Sequence, residues 1–278
     1  MRSYEKDMKE RLSMTEFCRD VLRLLTDHRI EFLVGGYHAL RHHTGIDRET
    51  KDFDLMARPS AVAKVLQLCR NAGYGTEMVS SHWLAKIEYQ DCFIDLIFNS
   101  GNGRCAVDDD WFARADSCRV LDHLVKIVPL EELIWQKAYI MERERFDGAD
   151  IAHLLLKCGE RIDWEHLLGR FAADWRVLFS HLVLFGFIYP SRRNQVPKKV
   201  VGELLRRLDL ENENAAPNVN VCNGTFLSRS QFTADIEEDG FIDGRLSERS
   251  IMSANEIKAW TIAGTVEQLS RDSSSPEE

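Results

Sequence analysis

Asp52, Asp54 and Asp95 are the side chains in this sequence best placed by type and spacing to do chemistry. Asp52 and Asp54 alternate with Phe53 and Leu55, so on a strand both acids take one face and the apolar residues the other. Asp95 sits inside CFIDLIF, where an unpaired carboxylate would cost several kcal/mol if buried. Three acids on neighbouring strands need positive charge between them, and a divalent cation supplies it with the fewest groups. A structural acid paired with an arginine is the competing account of Asp95. Upstream, the apolar run FLVGG ends in Gly35 and Gly36 and leads into a short helix-like segment, YHALRHHTG. A strand that ends in Gly-Gly and turns into a helix brings backbone N–H groups close to an anion. A phosphate held there, beside a cation on Asp52 and Asp54, outlines a nucleoside triphosphate site. Arg48, Thr50 and Lys51 lead into the acids and shape the loop above that site. Neither GxxxxGK[ST] nor GxGxxG occurs, which removes the P-loop and dinucleotide-fingerprint routes.

Other residues are weighed against plainer roles. Lys137 precedes the run RERFDGAD, which ends at Asp150; a solvated helix lysine competes with a phosphate-binding one. Asp147 and Asp150 read first as helix caps. His38 and His42 stand four apart, a chelating spacing, yet no third ligand completes a zinc set. Arg176 and His181 fit a loose Arg-x4-His pattern found in HEPN-type ribonucleases, one that chance produces easily in a helical region. The cysteines read as small core residues and Trp111, Trp135, Trp164 and Trp175 as helix packing.

The elements that must position these groups follow from periodicity. Ser13 and Glu16 form a capping box that opens a helix ending near Asp27–Arg29, which feeds a strand over Ile30–Val34. DFDLM is a strand, Pro59 starts a helix through Cys69, and HWLAKIEY and CFIDLIF are strands joined at Gln90-Asp91. Residues 99–103 are a loop, and Leu121–Val128 is the last strand. From Pro129 to about Leu210 the apolar spacing is helical almost throughout, with Asp163 as an N-cap and Pro197 in a first turn. The fold class is therefore α+β: a small mixed sheet flanked by helices over 1–128, then an all-helical domain over 129–210. Residues 211–278 comprise a polar linker, a short C-terminal segment and the disordered tail RDSSSPEE.

Bulk properties bound the rest. Of the 278 residues, 44% are hydrophobic and 29% charged, as in soluble globular proteins. No apolar run reaches the ~18–20 residues of a membrane span, and the charged start lacks the apolar core of a secretory signal. Seven cysteines without CxxC spacing suit reduced thiols and a cytoplasmic location. The net charge of −9 leans against nucleic-acid partners without excluding a local basic groove.

Gly35-Gly36, the short helix and Asp52-x-Asp54 resemble the signature of the nucleotidyltransferase superfamily related to DNA polymerase beta, with Asp95 matching its third carboxylate. RETKDFDL is also similar to the Arg-x-Thr-x-Asp-x-Asp pattern of bacterial minimal nucleotidyltransferases, including the AbiEii-like toxin branch and the aminoglycoside and lincosamide nucleotidyltransferases. The resemblance spans roughly residues 15–160 and departs in its long spacer, fifteen residues from Tyr37 to Lys51. It implies transfer of a nucleoside monophosphate from an NTP to a hydroxyl on tRNA, protein or a small molecule, in a toxin-like, defence or modifying role. It further implies two Mg²⁺ ions, replaceable by Mn²⁺, on Asp52, Asp54 and Asp95, with Asp95 helping to activate the acceptor. Gly35, Gly36 and Lys137 would hold the triphosphate, while Asp147 and Asp150 orient basic side chains. An antitoxin or a second copy of the chain is the implied protein partner. The stretch NGTFLSRSQFTADIEEDGFIDGR is similar to one that follows the helical domain in uncharacterised bacterial proteins of this kind. The alternatives are a non-catalytic nucleotide-binding regulator and the ribonuclease centred on Arg176 and His181.

Overall fold

The computed structural model describes residues 12–50, 52–215, 218–248 and 250–272. Helix α1 (Met14–Asp27) opens with the Ser13/Glu16 capping box and buries Phe17, Val21, Leu22 and Leu25. Strand β1 (Leu33–Val34) is shorter than the Ile30–Val34 run suggests, and α2 (Gly36–Thr44) follows it at once. Next come β2 (Asp54–Met56), α3 (Val62–Asn71), and the antiparallel strands β3 (Gly75–Ser80), β4 (Leu84–Tyr89) and β5 (Cys92–Ile97). The short α4 (Asp109–Ala113) leads to a hairpin of β6 (Ser117–Val120) and β7 (His123–Ile127).

These strands form one seven-stranded sheet in the order β3-β4-β5-β2-β1-β7-β6. It is mixed: β1 pairs with β7 and β2 with β5 in parallel, and the other pairs are antiparallel. Helices α1 and α3 pack on the sheet, while α2 turns towards the helices that follow. Along β5 the buried residues Ile94 and Leu96 alternate with the half-open Phe93, Asp95 and Ile97. The sheet thus keeps one face in the core and presents the acids on the other.

The helical region begins at α5 (Leu130–Ala138) and continues through α6 (Gly148–Cys158), α7 (Trp164–Phe171), α8 (Trp175–Ile188) and α9 (Lys198–Glu213). Asp163 caps α7 by accepting from the His166 amide. Trp111, Trp135, Trp164 and Trp175 are all buried, as helix and sheet packing requires. A single apolar cluster runs from Phe17 through these helices to Phe226. Residues Trp164–Ile188 are, by length and composition, apolar enough to cross a membrane, in contrast to the reading of the sequence. They are two helices broken at Ala172, where φ is 42°, and Leu167, Phe171, Leu178 and Phe185 lie in the core.

The C-terminal segment carries more order than its composition suggests. A parallel two-stranded ribbon joins β8 (Val221–Cys222) to β9 (Ile242–Asp243), with α10 (Thr233–Glu237) between them. Helix α11 (Ala254–Asp272) occupies a stretch without strong apolar spacing, and residues 273–278 of the expected tail lie outside the described residues. Ser253 and Glu256 cap it reciprocally.

Candidate active site

Asp54 and Asp95 are direct partners in the parallel β2–β5 register, so the topology places two carboxylates side by side. Asp52 lies two residues before Asp54 on the exposed lead-in to β2, and its amide donates to the Thr50 hydroxyl. Burial, then the charges of Asp95 and Asp52, push the Asp54 carboxyl up to about 6. Asp95 is also raised, chiefly by burial, although Lys86 opposes the shift. Lys86 is its register partner on β4; the ammonium lies 3.9 Å from Asp95 Oδ1 and 3.8 Å above the Phe93 ring. No arginine pairs with Asp95 among the described residues, and its Oδ1 is buried without a hydrogen-bond donor. No three His, Cys, Asp or Glu side chains among the described residues form a ready-made cation cage.

The two glycines differ in role. The Gly35 amide is spent on the Asp54 carbonyl at 2.9 Å, so it offers no N–H to an anion, contrary to the expectation from sequence. Gly36 starts α2 with φ of 51°, and a Cβ there would stand 1.7 Å from Asp54 Oδ2. Only glycine lets the chain turn into α2 directly against that carboxylate. No side chain caps α2, which leaves its first-turn amides beside the acids. Gly36→Ala is accordingly expected to cost ~1–3 kcal/mol of stability and to displace Asp54, with activity lost. A melting curve within a degree of wild type would refute this.

Lys137 is not a solvated helix lysine. It is 6% exposed, with its ammonium 2.6 Å from Asp147 Oδ2 and 2.8 Å from Asp150 Oδ2. Asp147 occupies the N-cap position of α6 but makes no capping hydrogen bond, and Asp150 pairs with Lys137 and with Arg48 at 3.0 and 3.2 Å. Of the two roles read for these acids, the cap is absent and the holding of basic side chains is present. Burial alone would raise Asp147, yet the Arg145 hydrogen bond and the Lys137 charge bring its carboxyl down to about 2. Arg145, which sequence reasoning passed over, donates to Asp147 at 2.9 and 3.0 Å while its side chain stays 63% exposed. Its place inside a charged run gave no signal of that. Lys51 lies outside the described residues.

Two cavities meet at these groups. One, about 570 Å³, is lined by Arg48, Thr50, Asp52, Arg145 and Asp150. The other, about 860 Å³, runs past Gly36, Asp54, Asp95 and Lys137 to Trp83, Asn99, Arg229 and Trp260. Asp52, Arg145 and Asp147 border both.

The remaining motif candidates lie elsewhere. His38 packs on Phe53, and burial lowers its pKa; His42 stands against the His43 ring. His181 is buried with Nε2 3.0 Å from the Ala138 carbonyl, whereas Arg176 is held by Glu211 on the surface. The structure does not bring Arg176 and His181 into a solvent-reaching pair, so nothing in it favours the ribonuclease reading.

The sheet, the glycine turn and the acid pair define a nucleotidyltransferase. Residues 14–168 match the family described as "Nucleotidyl transferase of unknown function (DUF2204)", and the chain belongs to that family. Among solved structures, the fold is similar to ANT(2″)-Ia in complex with adenylyl-2″-tobramycin, at 16% identity and a TM-score of 0.41, covering 58% of this chain and 97% of that one. It is similar to the lincosamide antibiotic adenylyltransferase LnuA, lincomycin-bound, at 18% identity and 0.37, covering 49% and 93%. JHP933 from Helicobacter pylori matches at 13% and 0.34, covering 74% and 96%. No match is found among curated proteins.

Proposed function

We propose that this nucleotidyltransferase moves a nucleoside monophosphate from an NTP to a hydroxyl, with Asp52, Asp54 and Asp95 at the reacting end. The observation that carries the reading is the Asp54–Asp95 register pair, two partly buried acids with an orphaned Oδ1 and too little positive charge around them. Such a donor set fits a hard divalent cation, Mg²⁺ or Mn²⁺. Bound there, the ions would neutralise the triphosphate and sharpen the acceptor oxygen as a nucleophile. The acceptor oxygen forms a bond to the α-phosphorus, the bond from that phosphorus to the bridging oxygen breaks, pyrophosphate departs, and the hydroxyl proton passes to Asp95 or solvent. Arg145 and Arg48 line the 570 Å³ cavity and supply positive charge for the phosphates. The first-turn amides of α2 approach from the other side.

Incubation with each labelled NTP, Mg²⁺ and a cell extract tests the reading; label transferred to no acceptor would leave the non-catalytic regulator. Asp95→Asn separates the two roles further. No arginine loses its partner and Lys86 stays partly solvated, so melting should change little. NTP affinity should hold within a few-fold while turnover falls at least ~10². A collapsed fold would make Asp95 structural.

A further inference from the structure

The larger cavity reaches well beyond what a triphosphate needs, and its far end is built by the C-terminal segment. That segment is fastened to the preceding part of the chain at several points. Asn102 Nδ2 donates to the Phe226 carbonyl at 2.7 Å, the Met141 amide to the Leu227 carbonyl at 3.1 Å, and Ser81 Oγ to Glu256 at 2.6 Å. Trp260 of α11 lies 5.2 Å from Trp83, ring to ring, and packs so closely on Gly101 that a Cβ there would meet its indole at 2.4 Å. Arg229 sits 5.1 Å from the Trp260 ring.

Two buried donors that line this end have no partner among the described residues. Asn99 is 1% exposed and its Oδ1 accepts from the Ser100 amide, which orients the side-chain NH₂. That NH₂ has no acceptor, and neither has the Trp83 indole N–H. Both residues line the cavity with Asp95. Buried donors left without acceptors cost stability and are recovered when a ligand brings oxygen to them. The acids of this end are already occupied: Glu142 accepts from the Ser228 hydroxyl at 2.5 Å and the Arg229 amide at 3.0 Å, and Glu144 lies 3.7 Å from the Arg229 guanidinium. Glu142 and Glu144 both face Arg229, which offsets part of their charge and weakens their pull on a polycation.

We propose that the segment from Thr225 to Trp260 completes an acceptor pocket, and that the acceptor is a small, neutral, hydroxylated molecule with one flat face. The flat face lies on the Trp260 ring, its oxygens accept from Asn99 and from the edge of Trp83, whose ring stands at 76° to Trp260, and one hydroxyl points to Asp95. This rests on the transfer reaction above, in which that hydroxyl gains the nucleotidyl group, gives up its proton and releases pyrophosphate. The cavity volume suits a drug-sized ligand.

The test uses the full chain with labelled NTPs and Mg²⁺, supplied separately with the fraction of a cell extract below about 1 kDa and with its RNA and protein. Label on a small neutral compound supports the proposal; label on RNA, on protein or on a polyamine overturns it. With the labelled compound in hand, Trp260→Ala and Asn99→Ala should each raise its KM at least ~10-fold, with the NTP KM within about twofold. An unchanged acceptor KM in both well-folded variants overturns the pocket while leaving transfer intact. No NTP binding and no labelled product in any fraction overturns the transfer reading, and the pocket with it.

Discussion

Asp54→Asn is expected to abolish nucleotidyl transfer while raising the melting temperature of the metal-free protein at pH 7. The carboxyl is lifted to about 6 by burial and by Asp95 and Asp52, so its ionised form at pH 7 is a load on the folded state. In the unfolded chain it titrates near its ordinary value of 3.8. The folded state binds the proton more tightly, so this group's contribution is fully favourable below pH ~4 and lost as pH rises through about 6. A shift of that size corresponds to about 1–3 kcal/mol, allowing for partial solvation. The amide carries no charge, so the excess in mutant melting temperature should grow from pH 4 to pH 7 and then level. Mg²⁺ should raise the wild-type melting temperature and leave the mutant nearly unmoved, since the mutation removes a ligand. Turnover should drop at least ~10². A mutant that melts lower than wild type at pH 7 would mean that Asp54 has a structural partner, and the acid-pair argument would fail.

The sequence carried much of this site because its constraints are local. Gly36 must be glycine where the chain turns against Asp54, and the alternation in DFDLM and CFIDLIF fixes which face the acids take. What it could not carry was pairing between distant segments. The edge strand β3 was missed because nearly all its side chains are exposed, with Met78 and Val79 facing solvent, so no alternation marks it. Strand β7 falls within the run read as Leu121–Val128, but β6 was hidden by the turn: Leu121 and Asp122 both take positive φ, at 48° and 69°, without the Asn-Gly or Asp-Gly that advertises such a turn. Helix α11 has a weak apolar face, and its function in the fold rests on one residue, Trp260, meeting Trp83 and Gly101. The ion-pair network was legible only in outline, as acids that orient basic side chains, and its partners were not. Nothing in the order Lys137, Arg145, Asp147, Asp150 says which cation is buried between the acids and which reaches the cleft.

That division of labour gives the second large effect: Lys137→Met should damage the fold, and Arg145→Met should damage nucleotide binding. Lys137 is enclosed between Asp147 and Asp150, and its removal leaves two buried carboxylates sharing only Arg145 and Arg48. Breaking a buried pair from one side costs ~3–5 kcal/mol, because the remaining charge stays in a poor solvent. The melting temperature should fall well below wild type, and any loss of NTP affinity would follow from unfolding. Arg145 differs in that its side chain is 63% exposed and borders both cavities. Without it Asp147 still has the Lys137 ammonium, so the fold should stay close to wild type. A charged hydrogen bond to phosphate contributes about 1.5–3 kcal/mol, so the Kd for NTP should rise ~10- to 150-fold. Melting curves and NTP titrations of both variants decide the assignment. A stable Lys137→Met protein that no longer binds NTP, beside an Arg145→Met protein that binds normally, would return the phosphate to Lys137 and leave Arg145 a surface partner of Asp147.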